Sequence, residues 1–316
     1  MPVQVVCGKK AGPVLFVCAA IHGDELNGVE IIRRLLRIKA LRRIRGTLIA
    51  VPIVNLHGFI DKSRYLPDRR DLNRSFPGSE TGSLASRIAN LFMTEIVSQA
   101  THGIDLHTGA IHRANLPQIR ANLDDEATAE LARAFGTPVI LNAAIRPGTL
   151  RAAATGRVPV LVYEAGEALR LDELAIRGGV NGIVRVMRKL DMLPPSRRRT
   201  TSPEPVIARS SSWVRAPQSG ILRTFARQGE RVKRDETLLG IVSDPYGEHE
   251  HEIRSPFNGI VIGKLNLPLV NEGDAVYHVA RFHRSDIAAD RIEDYHEALE
   301  APDYPYPDDS HTDETV

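Results

Sequence analysis

The sequence predicts an α/β protein followed by a smaller all-β region. Three observations carry that prediction. Short, nearly continuous apolar runs alternate with segments of helical periodicity as far as residue 190, a polar and proline-rich stretch follows Leu193, and beyond it the chain turns to short β-like runs punctuated by glycine. Strands buried on both faces of a parallel sheet read as unbroken apolar runs. Their alternation with amphipathic helices implies a sheet layered by helices.

The first strand is "PVLFVCAAI" at 13–21. A helix follows over 26–38, where Leu26, Val29, Ile32 and Leu36 join Ile31, Leu35 and Ile38 in one broad apolar arc. Glu30, Arg33, Arg34 and Arg37 share its opposite side, so the helix packs inward and shows its arginines to water. "TLIAVPIVN" at 47–55 is a second strand, with Pro52 tolerable only near its end. Further strands are expected at "HGIDLHT" (102–108), "TPVILN" (137–142) and "VPVLVYEAG" (158–166), and further helices at 83–99, 124–135 and 171–190. This assigns residues 1–195 to one α/β domain, in which ligands gather beyond the carboxyl ends of the strands.

"PPSRRRTTSPEP" marks a linker, placed at 196–212. A β domain over 213–285 carries an internal echo: "APQSGIL" at 216–222 returns as "SPFNGIV" at 255–261, each followed by a glycine-led partner. Two similar hairpin-like halves predict a small barrel or sandwich with pseudo-two-fold symmetry. Residues 286–316 form an acidic tail, whose proline-bearing end "DYPYPDDSHTDETV" is expected to be mobile.

With 42% hydrophobic and 25% charged residues the composition is that of a soluble globular protein. The formal net charge of +2 gives no general attraction to nucleic acid, and the basic cluster at 33–45 alternates with core positions and lacks aromatics. Cys7 and Cys18, the only cysteines, have no metal or redox spacing. The start "MPVQVVCGKK" has no leader pattern, and no run nears the roughly 18 apolar residues that cross a bilayer. A cytoplasmic location without membrane or nucleic-acid partners is the expectation.

The chemistry is expected at strand ends. "HGDE" places His22 and Glu25 within one turn after the first strand, and "DLHTG" places His107 where another strand stops. A catalytic zinc takes three nitrogen or carboxylate ligands and keeps a position open for water, and these three residues supply such a set. The plain alternative is that Asp24 caps the helix while His22 and Glu25 are bystanders. His57, His102 and His112 compete as ligands on spacing alone. Metal-assisted hydrolysis also needs a base, for which Glu164 in "LVYEAGE" ends an apolar strand, and cations for the oxyanion and substrate. The loop "SRYLPDRRDLNRSFPG" at 63–78 offers Arg64 to polarise a carbonyl, and Asn73 with Arg74 to grip a carboxylate.

Taken in order, "HGDE", "DLNRSFPG", "DLHTG" and "YEAG" resemble the succinylglutamate desuccinylase/aspartoacylase family, relatives of the zinc carboxypeptidases, over roughly residues 13–190. The resemblance implies a mixed central sheet flanked by helices, with a smaller β domain that can border the active site. It matches His22, Glu25 and His107 to the ligands of one Zn2+ per chain, Glu164 to the general base, Arg64 to the carbonyl-polarising arginine, and Asn73 with Arg74 to the carboxylate grip. The implied activity is hydrolysis of the amide of a small N-acyl amino acid, with a homo-oligomer as the family habit. "HGDE" and the glycine-rich C-terminal repeats look closer to the bacterial branch that includes N-acetyl-diaminobutyrate deacetylases. The arginine-to-"DLNR" interval is longer here than in the aspartoacylases. A zinc carboxypeptidase acting on peptides is the alternative, and it requires a β domain that leaves the cleft open. The C-terminal echo resembles the barrel-sandwich fold of biotinyl and lipoyl carriers, but "VSDPYGEHEHEI" at the expected hairpin has no lysine to modify. That leaves a structural or pocket-shaping role, with "EHEHE" as a solvated edge strand.

Overall fold

The computed structural model describes residues 1–195, 204–282 and 285–300. Its first region runs β1 (Gln4–Cys7), β2 (Lys10–Ala19), α1 (Asn27–Leu35), β3 (Arg45–Val51), α2 (Leu56–Ile60), α3 (Leu84–Glu95), β4 (His102–Gly109), β5 (Arg113–Ala121), α4 (Glu126–Phe135), β6 (Val139–Asn142), α5 (Leu150–Ala154), β7 (Val160–Glu167) and α6 (Glu173–Lys189). The second runs β8 (Val206–Ala208), β9 (Ser210–Arg215), β10 (Gly220–Thr224), β11 (Arg231–Val232), β12 (Leu238–Ser243), β13 (Glu250–Arg254), β14 (Gly259–Leu265), β15 (Leu269–Val270), β16 (Ala275–Arg281) and α7 (Ser285–Glu300).

β3, β2, β4 and β7 are parallel neighbours, while β1 joins β3 and β5 joins β7 antiparallel, so the central sheet is mixed. Successive residues of β2 point to opposite faces. Leu15 and Val17 pack under α1, α4 and α6, whereas Phe16 and Cys18 pack under α3 and α5. Both faces of β2 are therefore dry, which explains its unbroken apolar run. Pro52 lies one residue beyond β3, where the missing N–H costs the ladder nothing. No helix among the described residues is long and apolar enough to cross a membrane.

β5 is the element the sequence pattern does not announce. Its segment "RANLPQIRA" is polar and carries Pro117 in mid-strand, both arguments against a central strand. The far edge of β5 is split at that proline. Arg113–Asn115 pair with β14 of the second region, and Gln118–Ala121 pair with β6.

The β14 pairing makes one twelve-stranded sheet that continues from β5 through β14 and β16 to β9. A four-stranded sheet in the order β13-β12-β10-β15 completes the second region. The echo is visible in the topology: β10 and β14 open the two repeats and lie in different sheets, and each pairs with a short strand from the opposite half, β15 and β11. Most of the "EHEHE" run falls on β13, the exposed edge of the smaller sheet. Val214, Leu265, Val276, Tyr277 and Val279 of the larger sheet and Leu222, Leu239, Val242 and Ile253 of the smaller one form a single core.

The stretches read as a linker and an acidic tail contain regular structure. The described end of the 196–212 stretch holds β8, which pairs with β6, and the start of β9, which pairs with β16. Residues 196–203 lie outside the described residues. Within 286–316, α7 is helical because Ala288, Ile292, Tyr295 and Leu299 recur at helical spacing and bury one stripe. The expectation of mobility at 303–316 likewise falls outside the described residues.

His278 on β16 stacks on Trp213, with ring centroids 4.6 Å apart and planes 8° from parallel. Burial, with the nearby Arg120 charge, pulls its pKa down to about 3. Folded protein therefore refuses a proton that the unfolded chain accepts below about pH 6.5. Stability drains away as pH falls from there toward 3, by an amount on the order of a few kcal/mol. Replacing His278 by Phe keeps a ring against Trp213 and removes the titration. Denaturant unfolding between pH 7 and 4 should show a flatter loss of stability in H278F than in the parent protein.

Candidate metal centre and its surroundings

β2, β4 and β7 deliver their last residues to the same end of the sheet. His22 and Glu25 follow β2, His107 and Thr108 end β4, and Glu164 lies near the end of β7 as the register partner of His107. Gly23 is required in the turn between β2 and α1: a Cβ there would stand 2.0 Å from the Gly58 carbonyl carbon and 2.2 Å from the Phe59 nitrogen. Asn27 then fastens this turn to the end of β7. Its Nδ2 donates to the Ala165 carbonyl at 3.1 Å, and its Oδ1 accepts from the Asp172 amide at 2.9 Å. Asp24 does not cap α1, whose first turn has no side-chain cap, and Asp24 Oδ1 is buried with no hydrogen-bond partner among the described residues.

His22, Glu25 and His107 are all buried, at 4%, 2% and 4% exposure, and their donor atoms lie within 4.8 Å of one another. Glu25 Oε1 is 2.7 Å from His22 Nδ1, Glu25 Oε2 is 2.8 Å from His107 Nδ1, and the two Nδ1 atoms are 3.2 Å apart. The Thr108 amide donates to Glu25 Oε2 at 3.0 Å, and His107 Nε2 lies 2.9 Å from Asp105 Oδ2. An imidazole that turns one nitrogen to a buried carboxylate and the other to a shared point is oriented as metal-ligating histidines are. Two imidazole nitrogens and a carboxylate converging in a buried pocket fit a divalent ion with N/O preference.

The local electrostatics agree. Burial alone would lower both imidazoles, but Glu25 holds His22 above its ordinary pKa, and Asp105 with Glu25 hold His107 well above. Burial would raise Glu25, yet the two imidazoles outweigh it and keep the carboxyl far below the usual range. The pocket is thus built to hold positive charge, and a cation entering it competes with protons.

The three competing histidines are elsewhere. His102 starts β4 at the opposite end of the strand from His107 and bonds Thr101, while His57 and His112 are exposed. Arg64 does reach the cluster: Nη1 is 3.4 Å from Glu25 Oε1, and Nη2 donates to Asp71 Oδ2 at 3.1 Å. Asp71 also lies 3.2 Å from His22 Nε2, though outside hydrogen-bond geometry, and caps the Leu72–Arg74 turn by accepting from the Asn73 amide. Asn73 Oδ1 accepts from the Leu150 amide at the start of α5 at 3.0 Å. Arg74 is exposed beside it and donates to the Asn73 carbonyl. Partial burial lowers Arg74, and Arg146 and Arg64 add to that against the pull of Asp71.

Glu164 accepts from Asn115 Nδ2 at 2.7 Å, and its other oxygen is 3.6 Å from Arg120 Nε. Asp71, Asp105, Asn115 and Arg120 are the neighbours that sequence reasoning missed. Asp105 alone had a readable signal, since a period of two puts it on the same face of β4 as His107. The second region closes in from the side. Asn266 donates to Glu167 Oε2 at 2.7 Å, and Gln228 donates to the Ala114 carbonyl at 2.7 Å.

Comparison with known proteins points one way. The family model described as "Succinylglutamate desuccinylase/Aspartoacylase catalytic domain" matches residues 11–190. An N-alpha-acetyl-L-2,4-diaminobutyric acid deacetylase of Halomonas elongata is 32% identical over 144 residues, which is 44% of this chain and 42% of that protein's own length. A crystal structure of a succinylglutamate desuccinylase/aspartoacylase from Rhodobacter sphaeroides superposes with a TM-score of 0.80 at 26% identity, covering 89% of each chain. The product-bound ectoine utilization protein EutE (DoeB) from Ruegeria pomeroyi superposes with a TM-score of 0.80 at 25% identity, covering 88% of each.

Proposed function

The chain belongs to the succinylglutamate desuccinylase/aspartoacylase family, and from that premise we propose that it is a zinc-dependent hydrolase that cleaves the amide bond of a small N-acyl amino acid. The observation that carries the reading is the convergence of His22 Nδ1, His107 Nδ1 and the Glu25 carboxylate at the ends of neighbouring strands, with Arg64 beside them. His22, Glu25 and His107 would hold the metal, whose chemistry there is that of a Lewis acid that brings the pKa of a water to about 7.

Glu164 takes a proton from the attacking water as oxygen bonds to the acyl carbon. It returns that proton to the nitrogen as the C–N bond breaks, so the products are a carboxylic acid and a free amino acid. Arg64 faces the carbonyl oxygen and offsets the charge that develops on it. Asn73, its carbonyl already engaged by α5, has Nδ2 to offer a substrate carboxylate, and the Arg74 guanidinium supplies the paired charge. The relative's name, a deacetylase of an N-acetylated amino acid, supports this substrate class. Asn266 and Gln228 reach in from the β region beside the site, which favours a small substrate over the peptide of the carboxypeptidase alternative.

A panel of N-acetyl amino acids including N-acetyl-L-2,4-diaminobutyric acid, N-succinyl amino acids and dipeptides, run beside elemental analysis, tests the proposal. The expected result is about one zinc per chain and turnover confined to N-acyl amino acids. Zinc with turnover of dipeptides alone would establish the carboxypeptidase reading instead.

A further inference from the structure

We infer that Asn115 is the residue that positions Glu164, and that the C-terminal β region takes part in catalysis by holding Asn115 in place through Gly263. The inference rests on the reading of Glu164 as the base.

Asn115 is 7% exposed and donates to Glu164 Oε2 at 2.7 Å. An ionised carboxylate only accepts, so the amide nitrogen is the atom that faces it, and the Asn115 carbonyl is turned the other way. There it meets β14. A Cβ on Gly263 would stand 3.0 Å from Asn115 Oδ1, 3.2 Å from the Ala114 carbonyl and 3.3 Å from His278 Cβ. Gly263 is the register partner of both Asn115 on β5 and His278 on β16, and it sits where the β14–β16 ladder shifts register. A side chain at Gly263 would press Oδ1 and the Ala114 carbonyl to give way by a few tenths of an ångström. Gln228, also from the second region, pins the adjoining Ala114 carbonyl. On the other side of the base, Glu164 Oε1 looks toward Arg120.

The carboxylate is thereby held through one oxygen by a rigid donor on a strand clamped between β7 and β14. A proton acceptor works only from a narrow range of positions and orientations, and a fixed partner on one oxygen sets where the lone pairs of the other point. Asn115 touches no atom of the reaction. It acts through Glu164, and the β region acts through Asn115.

Asn115→Leu keeps the volume and removes the donor. On the fastest N-acyl amino acid of the panel it should lower kcat roughly 10- to 100-fold and leave KM within about threefold, because no contact to the substrate is lost. The factor should be the same on N-acetyl and N-succinyl compounds, with zinc content unchanged. Gly263→Ala, three strands from β4, should lower kcat in the same sense and by less, again at constant KM. In a Glu164→Gln background Asn115→Leu should cost nothing further, since the two residues work as one unit. Wild-type kcat in Asn115→Leu, a loss confined to KM, or full additivity with Glu164→Gln would each overturn the inference. Failure of the base reading appears separately, as full activity of Glu164→Gln itself.

Discussion

Replacing His107 by alanine is expected to abolish zinc binding and hydrolysis together, with metal content near zero and turnover lowered at least about a thousandfold. His107 is the donor with the most built around it. Its ring carries a contact to Glu25 on one nitrogen and to Asp105 on the other. Asp105 is 1% exposed, and among the described residues its other side-chain hydrogen bond is from the Cys18 thiol at 3.4 Å. Removing the imidazole strands a buried carboxylate, so H107A should also unfold at lower denaturant, by about 3–5 kcal/mol in stability. His22→Ala should lose the metal as well, but with a smaller loss of stability, since Glu25 keeps His107 and the Thr108 amide and Asp71 keeps Arg64. Elemental analysis with urea unfolding of both variants separates the two effects. Acid should act on the parent protein in the same direction. Neighbouring carboxylates raise the pKa of both imidazoles, and a metal binds only the neutral ring, so zinc retention should fall as pH falls.

The second large effect belongs to Glu164. Glu164→Gln preserves size and still accepts from Asn115, so zinc content and folding should match the parent. General base catalysis contributes about 10²–10⁴-fold, and kcat should fall within that range while KM changes little. Full activity with zinc retained would mean that another carboxylate takes the proton. Asp71 would be the next candidate, being bonded to Arg64 and lying 3.2 Å from His22.

Much of this site is legible in the amino-acid sequence because strand ends advertise themselves. A run such as Leu15–Ala19 has no reason to be uniformly apolar unless both faces are covered, and polar residues appearing abruptly after it mark where the sheet stops. His22, Glu25, His107 and Glu164 all stand at such stops. What could not be read was β5, and the reason is physical. Asn115 and Arg120 engage Glu164 and Pro117 marks a change of partner strand, so the segment breaks the rules of strand composition where it serves the site. With β5 unread, the residues that surround Glu164 were unread too. α7 was hidden differently: its acidic surface dominates the composition, and only four buried positions in sixteen reveal that it packs.

The seam along Arg113–Asn115 bears on how such chains can diversify. Where a module hangs from a flexible tether, evolution or an engineer can exchange it freely. Here a transplant from a cousin must reproduce a strand edge, a residue lacking a side chain and a local irregularity in one ladder, all at once. Hybrids that match the outline but miss that join should fold and load metal, yet turn over sluggishly.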